Sequence, residues 1–207
     1  FFLVSIFRRA SERRGTAADY LIVGLGNPGD RYSGTRHNLG SEVVENMAAR
    51  MNLSLGRSRN ERAIVASGTL EKKNIVLACP ETFMNLSGES VRLLVKRYGI
   101  DQPGKIIVAH DELDLNPGRL KLKSGGSTAG HNGLKSIVQH LGEDDFVRVR
   151  MGVGKPPSSG AGKGWVLKKP SKSDRAAFDD SVQLASDALE SIIRDGLEEA
   201  MQMFNRR

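Results

Sequence analysis

Two short apolar runs most constrain this chain. Tyr20-Leu21-Ile22-Val23-Gly24 and Lys105-Ile106-Ile107-Val108-Ala109 are rich in β-branched and aliphatic residues, with no polar alternation. Runs this short suit strands rather than helices, and the missing alternation means that both faces are covered. A strand buried on both faces needs helices on either side, which is the arrangement of an α/β domain.

The intervening segments supply those helices. Val43, Val44, Met47, Ala48 and Met51 recur at helical spacing and predict a helix over 40–51. Val91, Leu94, Val95 and Tyr98 predict a second, which Gly99 ends. A third is expected to start at Asn132 and run for about ten residues, and a last one to span 173–204. Ile64 to Leu70 and Asn74 to Cys79 read as a hairpin turning at Glu71-Lys72-Lys73. Arg119 to Lys123 and Phe146 to Val153 alternate apolar with basic or small residues, so each reads as a strand with one polar face. Arg119, Lys121 and Lys123 then share one face, and Arg148 and Arg150 another. The expected fold is a single α/β domain over 18–207, a twisted mixed β-sheet flanked by helices. The Pro-, Gly- and Ser-rich stretch Lys155 to Gly164 reads as a flexible connection, because too little chain follows it for a second domain.

Charge and cysteine content narrow the function. With 31 Lys+Arg against 24 Asp+Glu, the net charge of +7 favours polyanionic partners. Cys79 is the only cysteine, so no internal disulfide forms and an oxidising compartment is not implied. One thiol and four histidines do not suggest a structural zinc site. No run is long and apolar enough to span a bilayer. Residues 1–17 put an apolar run before Arg8, Arg9, Arg13 and Arg14, the reverse of a secretory signal. They read as a flexible extension, or else as an organellar transit remnant.

Five segments carry candidate chemistry. Gly24-Leu25-Gly26-Asn27-Pro28-Gly29 matches a dinucleotide fingerprint in letters, but Pro28 and Ser33-Gly34 keep it from running into a helix. It reads instead as a tight turn that presents Asn27. Thr35-Arg36-His37-Asn38 puts a histidine in a polar loop, where it can act as a general base, although a single loop histidine is often only a surface residue. His110-Asp111-Glu112-Leu113-Asp114 follows a buried strand, where ligands gather in α/β sheets. A carboxylate there can fix a histidine tautomer; His110 with these acids also suggests a metal site, though no second ligand cluster accompanies it. Gly125-Gly126-Ser127-Thr128-Ala129-Gly130-His131-Asn132-Gly133 opens a helix and lets a bulky ligand approach the backbone. Phe83-Met84-Asn85-Leu86-Ser87-Gly88 offers an aromatic and an amide to a base or ribose, or simply a helix cap with Phe83 in the core. The basic residues of the two polar-faced strands suit a phosphate backbone or an ordinary solvated face.

Taken together, VGLGNPG, TRHN, FMNLSG, HDELDL and GHNGL resemble the bacterial-type peptidyl-tRNA hydrolase family, in its order and at about its spacing, from Tyr20 to the C-terminus. The resemblance implies a single-domain α/β enzyme without metal or cofactor, monomeric and cytoplasmic (organellar if residues 1–17 are a transit remnant). It implies hydrolysis of the ester between a peptide and the terminal ribose of tRNA, which recycles tRNA from aborted translation. Carried over residue by residue, His37 is the base that activates water and Asp111 its partner. Asn27 favours peptidyl over free aminoacyl esters. Tyr32, Phe83, Asn85 and Asn132 contact the peptidyl and tRNA 3′ end, and Lys121, Lys123 and Arg150 lie near the tRNA backbone. Ser33 and Ser41 raise a nucleophilic-serine alternative, but neither sits in a G-x-S-x-G elbow. The rival function is RNA binding without catalysis, as in plant organelle splicing factors on the same scaffold. A nucleotide-dependent oxidoreductase rests on the Gly24-to-Gly29 pattern alone.

Overall fold

The structure, a computed structural model, describes residues 17–158 and 161–206. The sheet contains β1 (Tyr20–Gly24), β2 (Gly56–Ser58), β3 (Ala63–Leu70), β4 (Lys73–Pro80), β5 (Ile106–Glu112), β6 (Leu120–Ser124) and β7 (Val147–Gly152). Their order is β2-β3-β4-β1-β5-β7-β6. β1 pairs in parallel with β4 and β5, and β5 with β7, while β2, β3 and β6 join antiparallel. The sheet is therefore mixed, as the sequence predicts, and both unalternating runs lie at its centre.

Helices cover both faces: α1 (Leu39–Arg50), α2 (Ser87–Tyr98), α3 (Asn132–Leu141), α4 (Gly162–Val166), α5 (Lys172–Asp195) and α6 (Leu197–Phe204). On one face Ile22, Leu77, Ile107 and Val149 pack with Val43 and Met47 of α1 and Phe178 and Leu189 of α5. On the other, Leu21, Val23, Val76 and Val108 pack with Val91 and Leu94 of α2 and Leu134 and Ile137 of α3. Each fully buried aliphatic side chain contributes roughly 1.5–3 kcal/mol relative to exposure, so the two layers dominate the stability of the fold. Among the described residues no helix is long and apolar enough to cross a membrane.

Several boundaries differ from the sequence reading. β5 does not stop at Ala109. Its pairing with β7 continues through Asp111↔Met151 and Glu112↔Gly152, so His110, Asp111 and Glu112 belong to the strand and are buried. The hairpin turns on Glu71 and Lys72, both with positive φ (48° and 62°), and Lys73 is already paired with Leu70. The long last helix is broken at Gly196, whose φ of 95° lies outside helical geometry and divides α5 from α6. In the expected flexible connection, α4 begins at Gly162; residues 159–160 lie outside the described residues. So does all of the expected N-terminal extension except Ala17.

The basic strand residues form one stripe, not two. β6 and β7 pair Lys121 with Arg150 and Lys123 with Arg148, and cross-strand partners share a face. Arg148 is 2 % exposed, and its guanidinium donates to the carbonyls of Ser127, Gly126 and Asp144. It is thus a strut for the glycine-rich loop, and its buried position removes it from any phosphate-tracking surface.

Candidate active site

The C-terminal ends of the parallel strands open into a cleft of about 650 Å³. The turn after β1 brings Asn27 and Tyr32, the turn before α1 brings His37, and the turn before α2 brings Phe83 and Asn85. The end of β5 supplies Asp111, and the glycine-rich loop with α3 supplies His131 and Asn132. Gly162, Lys163, Val166 and Leu167, in and beside α4, close another side.

Close backbone packing sets this geometry. A Cβ on Gly24 would lie 2.2 Å from the Gly40 carbonyl oxygen, and one on Gly40 would lie 2.2 Å from that of Ala109. Only glycines let α1 sit this near β1 and β5, which places His37 over the end of β5. Ser41 N–H donates to the Leu25 carbonyl, so this helix start is closed by the chain itself. Gly24 and Gly26 of GLGNPG therefore serve packing, while Gly29 supplies a φ of 100° for the turn, and the dinucleotide reading is set aside.

Three loops are tied by amides. Asn38 accepts from Asn27 N–H through Oδ1 and donates to the Asn27 carbonyl through Nδ2, both at 3.0 Å. Asn27 Oδ1 in turn accepts from Met84 N–H at 2.8 Å. That bond fixes the Asn27 amide and leaves its NH₂ donors without a partner among the described residues, on a residue that lines the cleft.

His37 Nδ1 lies 2.8 Å from Asp111 Oδ1, and His131 Nε2 lies 3.0 Å from the same oxygen. Burial opposes the charge on Asp111, but the facing His37 and His131 outweigh it and hold the carboxyl well below the usual range. An ionised carboxylate only accepts, so His37 presents a protonated Nδ1 and, when neutral, a basic Nε2. His110 is buried, with Nδ1 donating to the Asp111 carbonyl at 2.8 Å. Burial, reinforced by His131, holds its pKa down to about 3, so it stays neutral.

The ligating atoms of His37, Asp111 and His131 all lie within 4.8 Å of one another, close enough for a single cation. A cation there would have to displace both hydrogen bonds to Asp111 Oδ1. The metal suggestion drawn from His110 is not supported by its geometry, since among the described residues the ligating atoms that converge are those of His37, Asp111 and His131, without His110.

The structure brings together Asn27, Tyr32, His37, Phe83, Asn85, Asp111 and Asn132 around one cleft. Phe83 is 50 % exposed, so it is not a core residue, and its ring meets Tyr32 edge-on at 6.5 Å. Asn85 and Asn132 are exposed at the rim. Lys121, Lys123 and Arg150 do not line the cleft. Lys121 gives its ammonium to the Asn205 carbonyl, and Arg150 Nε donates to Glu112 at 3.0 Å. Ser33 and Ser41 line a separate pocket behind the Asn27–Asn38 pair, away from His37.

One residue of the cleft, His131, and one beside it, Arg36, escape sequence reasoning. His131 lies inside the glycine-rich motif next to Asn132, and nothing in that motif alone signals its contact with Asp111. Arg36 is buried beside His37, stacked 3.9 Å over Trp165, and bonded to the Lys168 and Lys169 carbonyls and to Asp174. A buried arginine is not visible from sequence, because its hydrogen-bond partners lie more than 130 residues away.

Residues 21–207 match the family model described as "Peptidyl-tRNA hydrolase". A peptidyl-tRNA hydrolase of Haemophilus influenzae is 47% identical over 186 residues, spanning 89% of this chain and 95% of that protein. One from Cutibacterium acnes is 44% identical over 196 residues, spanning 90% and 98%. The crystal structure of peptidyl-tRNA hydrolase from Acinetobacter baumannii matches with a TM-score of 0.86 at 38% identity, covering 92% of this chain and 97% of that one. The chain belongs to the peptidyl-tRNA hydrolase family.

Proposed function

We propose that the domain over 18–207 hydrolyses the ester that joins a peptide to the 3′-terminal ribose of tRNA, acting as a monomer. The observation that carries this reading is the His37–Asp111 pair, 2.8 Å apart at the end of a cleft lined by amides and aromatics. Ester hydrolysis needs a water, a base and a stabiliser for the oxyanion. His37 Nε2 takes a proton from water as the water attacks the ester carbonyl, and Asp111 stabilises the imidazolium that forms. The proton then passes to the departing ribose oxygen, which leaves as a free tRNA hydroxyl, while the peptide leaves as a carboxylic acid that gives its remaining proton to solvent.

The unpaired NH₂ of Asn27 suits a carbonyl of the bound peptide. A free aminoacyl ester has no such carbonyl, which gives a physical basis for preferring N-blocked substrates. Asn85 and Asn132, exposed at the rim, supply amide donors to the oxyanion or the ribose, and Phe83 with Tyr32 offers ring faces to the terminal base. Lys123 and Arg150, with Lys121, lie near the backbone of the tRNA on the β6–β7 stripe.

The test is turnover of N-acetyl-aminoacyl-tRNA beside its unblocked counterpart, with mass spectrometry of the enzyme during the reaction. Cleavage of the blocked ester with no acyl adduct supports direct water attack. A trapped acyl-enzyme would refute it.

A further inference from the structure

His131 occupies a position that the proposed reaction does not by itself require. Its Nδ1 faces the start of α3, where Gly133 N–H and Leu134 N–H donate to it at 3.1 and 3.3 Å. The imidazole thus acts as the helix cap, a task usually done by a side-chain oxygen. A nitrogen that accepts two backbone N–H groups carries no proton. The proton must sit on Nε2, which points at Asp111 Oδ1 from 3.0 Å. Protonating Nδ1 would cost both capping bonds and put positive charge against the positive end of α3.

We propose that His131 is a positioning residue for the ester hydrolysis, a neutral N–H donor whose tautomer is locked by α3 and which sets how strongly Asp111 acts on His37. This rests on the reading of His37 as the base. With two donors on one oxygen, the carboxylate is clamped facing His37. Part of its charge is also taken up by His131, so it favours the imidazolium of His37 less than a carboxylate with one partner would. His131 faces Asp111 and His110 from β5, and His37 from the turn before α1, with ring centroids 5.1 and 5.0 Å from those of His110 and His37. The other charged side chains lining the cleft are Glu112, Asp114 and Lys163.

Two experiments test this. The first follows kcat/KM against pH for wild type, His131→Leu and His131→Gln on an N-acetyl-aminoacyl-tRNA. His131→Leu removes the donor, so the acid limb should move up by about half a pH unit or more, with kcat falling more than KM rises. His131→Gln keeps a non-titrating donor and should return the limb towards wild type. The second needs no variant: ¹⁵N NMR of the wild-type histidine rings should find the neutral His131 ring with its proton on Nε2, the tautomer that the two N–H donors at Nδ1 select. An unmoved limb in an active His131→Leu enzyme, or a neutral His131 ring with its proton on Nδ1, would overturn the role while leaving the esterase reading in place. A wild type that does not cleave the ester would overturn both.

Discussion

Replacing Asp111 with Asn exchanges one carboxylate oxygen for an NH₂ group and removes one charge from the centre of the site. In the wild type, Asp111 Oδ1 accepts from His37 Nδ1–H at 2.8 Å and from His131 Nε2–H at 3.0 Å. An asparagine can still accept both if its carbonyl takes that place, so the fold should survive. The neutral amide, however, no longer stabilises the imidazolium that forms as water is deprotonated. A hydrogen bond to a charged group is worth about 1.5–3 kcal/mol and a neutral one about 1. Adding the lost attraction of a buried carboxylate brings the deficit to about 2–4 kcal/mol, or about 30- to 900-fold in rate. If the amide turns its NH₂ toward His37, the ring must present a lone pair at Nδ1, and Nε2 loses its basicity, which adds to the loss. The assay is single-turnover cleavage of N-acetyl-aminoacyl-tRNA with Asp111→Asn, with binding of the tRNA measured separately. The rate should fall by this factor with binding changed less than a few-fold. A variant that keeps more than half the wild-type rate would refute the pairing as a catalytic device.

Other perturbations have equally definite outcomes. His110 is held neutral with its pKa lowered from 6.5 to about 3. The unfolded chain takes a proton there first, so stability from this group is fully present above 6.5 and is lost as pH falls from 6.5 towards 3. By pH 5 the loss is about 2 kcal/mol, and urea titrations at pH 7.5 and 5 should find that His110→Asn loses correspondingly less than wild type. Gly40→Ala forces a Cβ to 2.2 Å from the Ala109 carbonyl, so it should destabilise by about 1–3 kcal/mol or more and cut activity by moving His37, measured by thermal unfolding and turnover. Arg36→Lys keeps the charge but loses the stack on Trp165 and the forked contacts to Lys168, Lys169 and Asp174. It should cost about 2 kcal/mol and hasten limited proteolysis within 155–170, and unchanged proteolysis would show that α4 is held by other contacts.

The layers of this fold were legible because periodicity reports burial directly. The runs at Tyr20 and Lys105 lack alternation because both faces are packed, and Gly99 ends α2 in a left-handed cap with φ of 63°. What periodicity could not convey was pairing. The extension of β5 through Asp111 depends on β7, and the single basic stripe depends on the register of β6 with β7. Charged residues at a strand end look like a loop until their partners are known. His110, Asp111 and Glu112 tolerate burial because a carbonyl, two imidazoles and Arg150 receive them. The break at Gly196 is hidden in the sequence because apolar spacing continues through it on both sides. Of the cleft, the residues on short, glycine-flanked motifs were readable. His131 and Arg36 were not, since their roles come from contacts across the chain: His131 with Asp111, and Arg36 with the segment around Trp165.

The most direct test of the account is cleavage of an N-acetyl-aminoacyl-tRNA by wild type and by His37→Ala, with tRNA binding measured for both. The account predicts turnover by the wild type, and loss of at least about two orders of magnitude in the variant at similar affinity, as removal of a general base requires. A wild type that binds tRNA without cleaving it, or a His37→Ala protein that cleaves at near the wild-type rate, would contradict it.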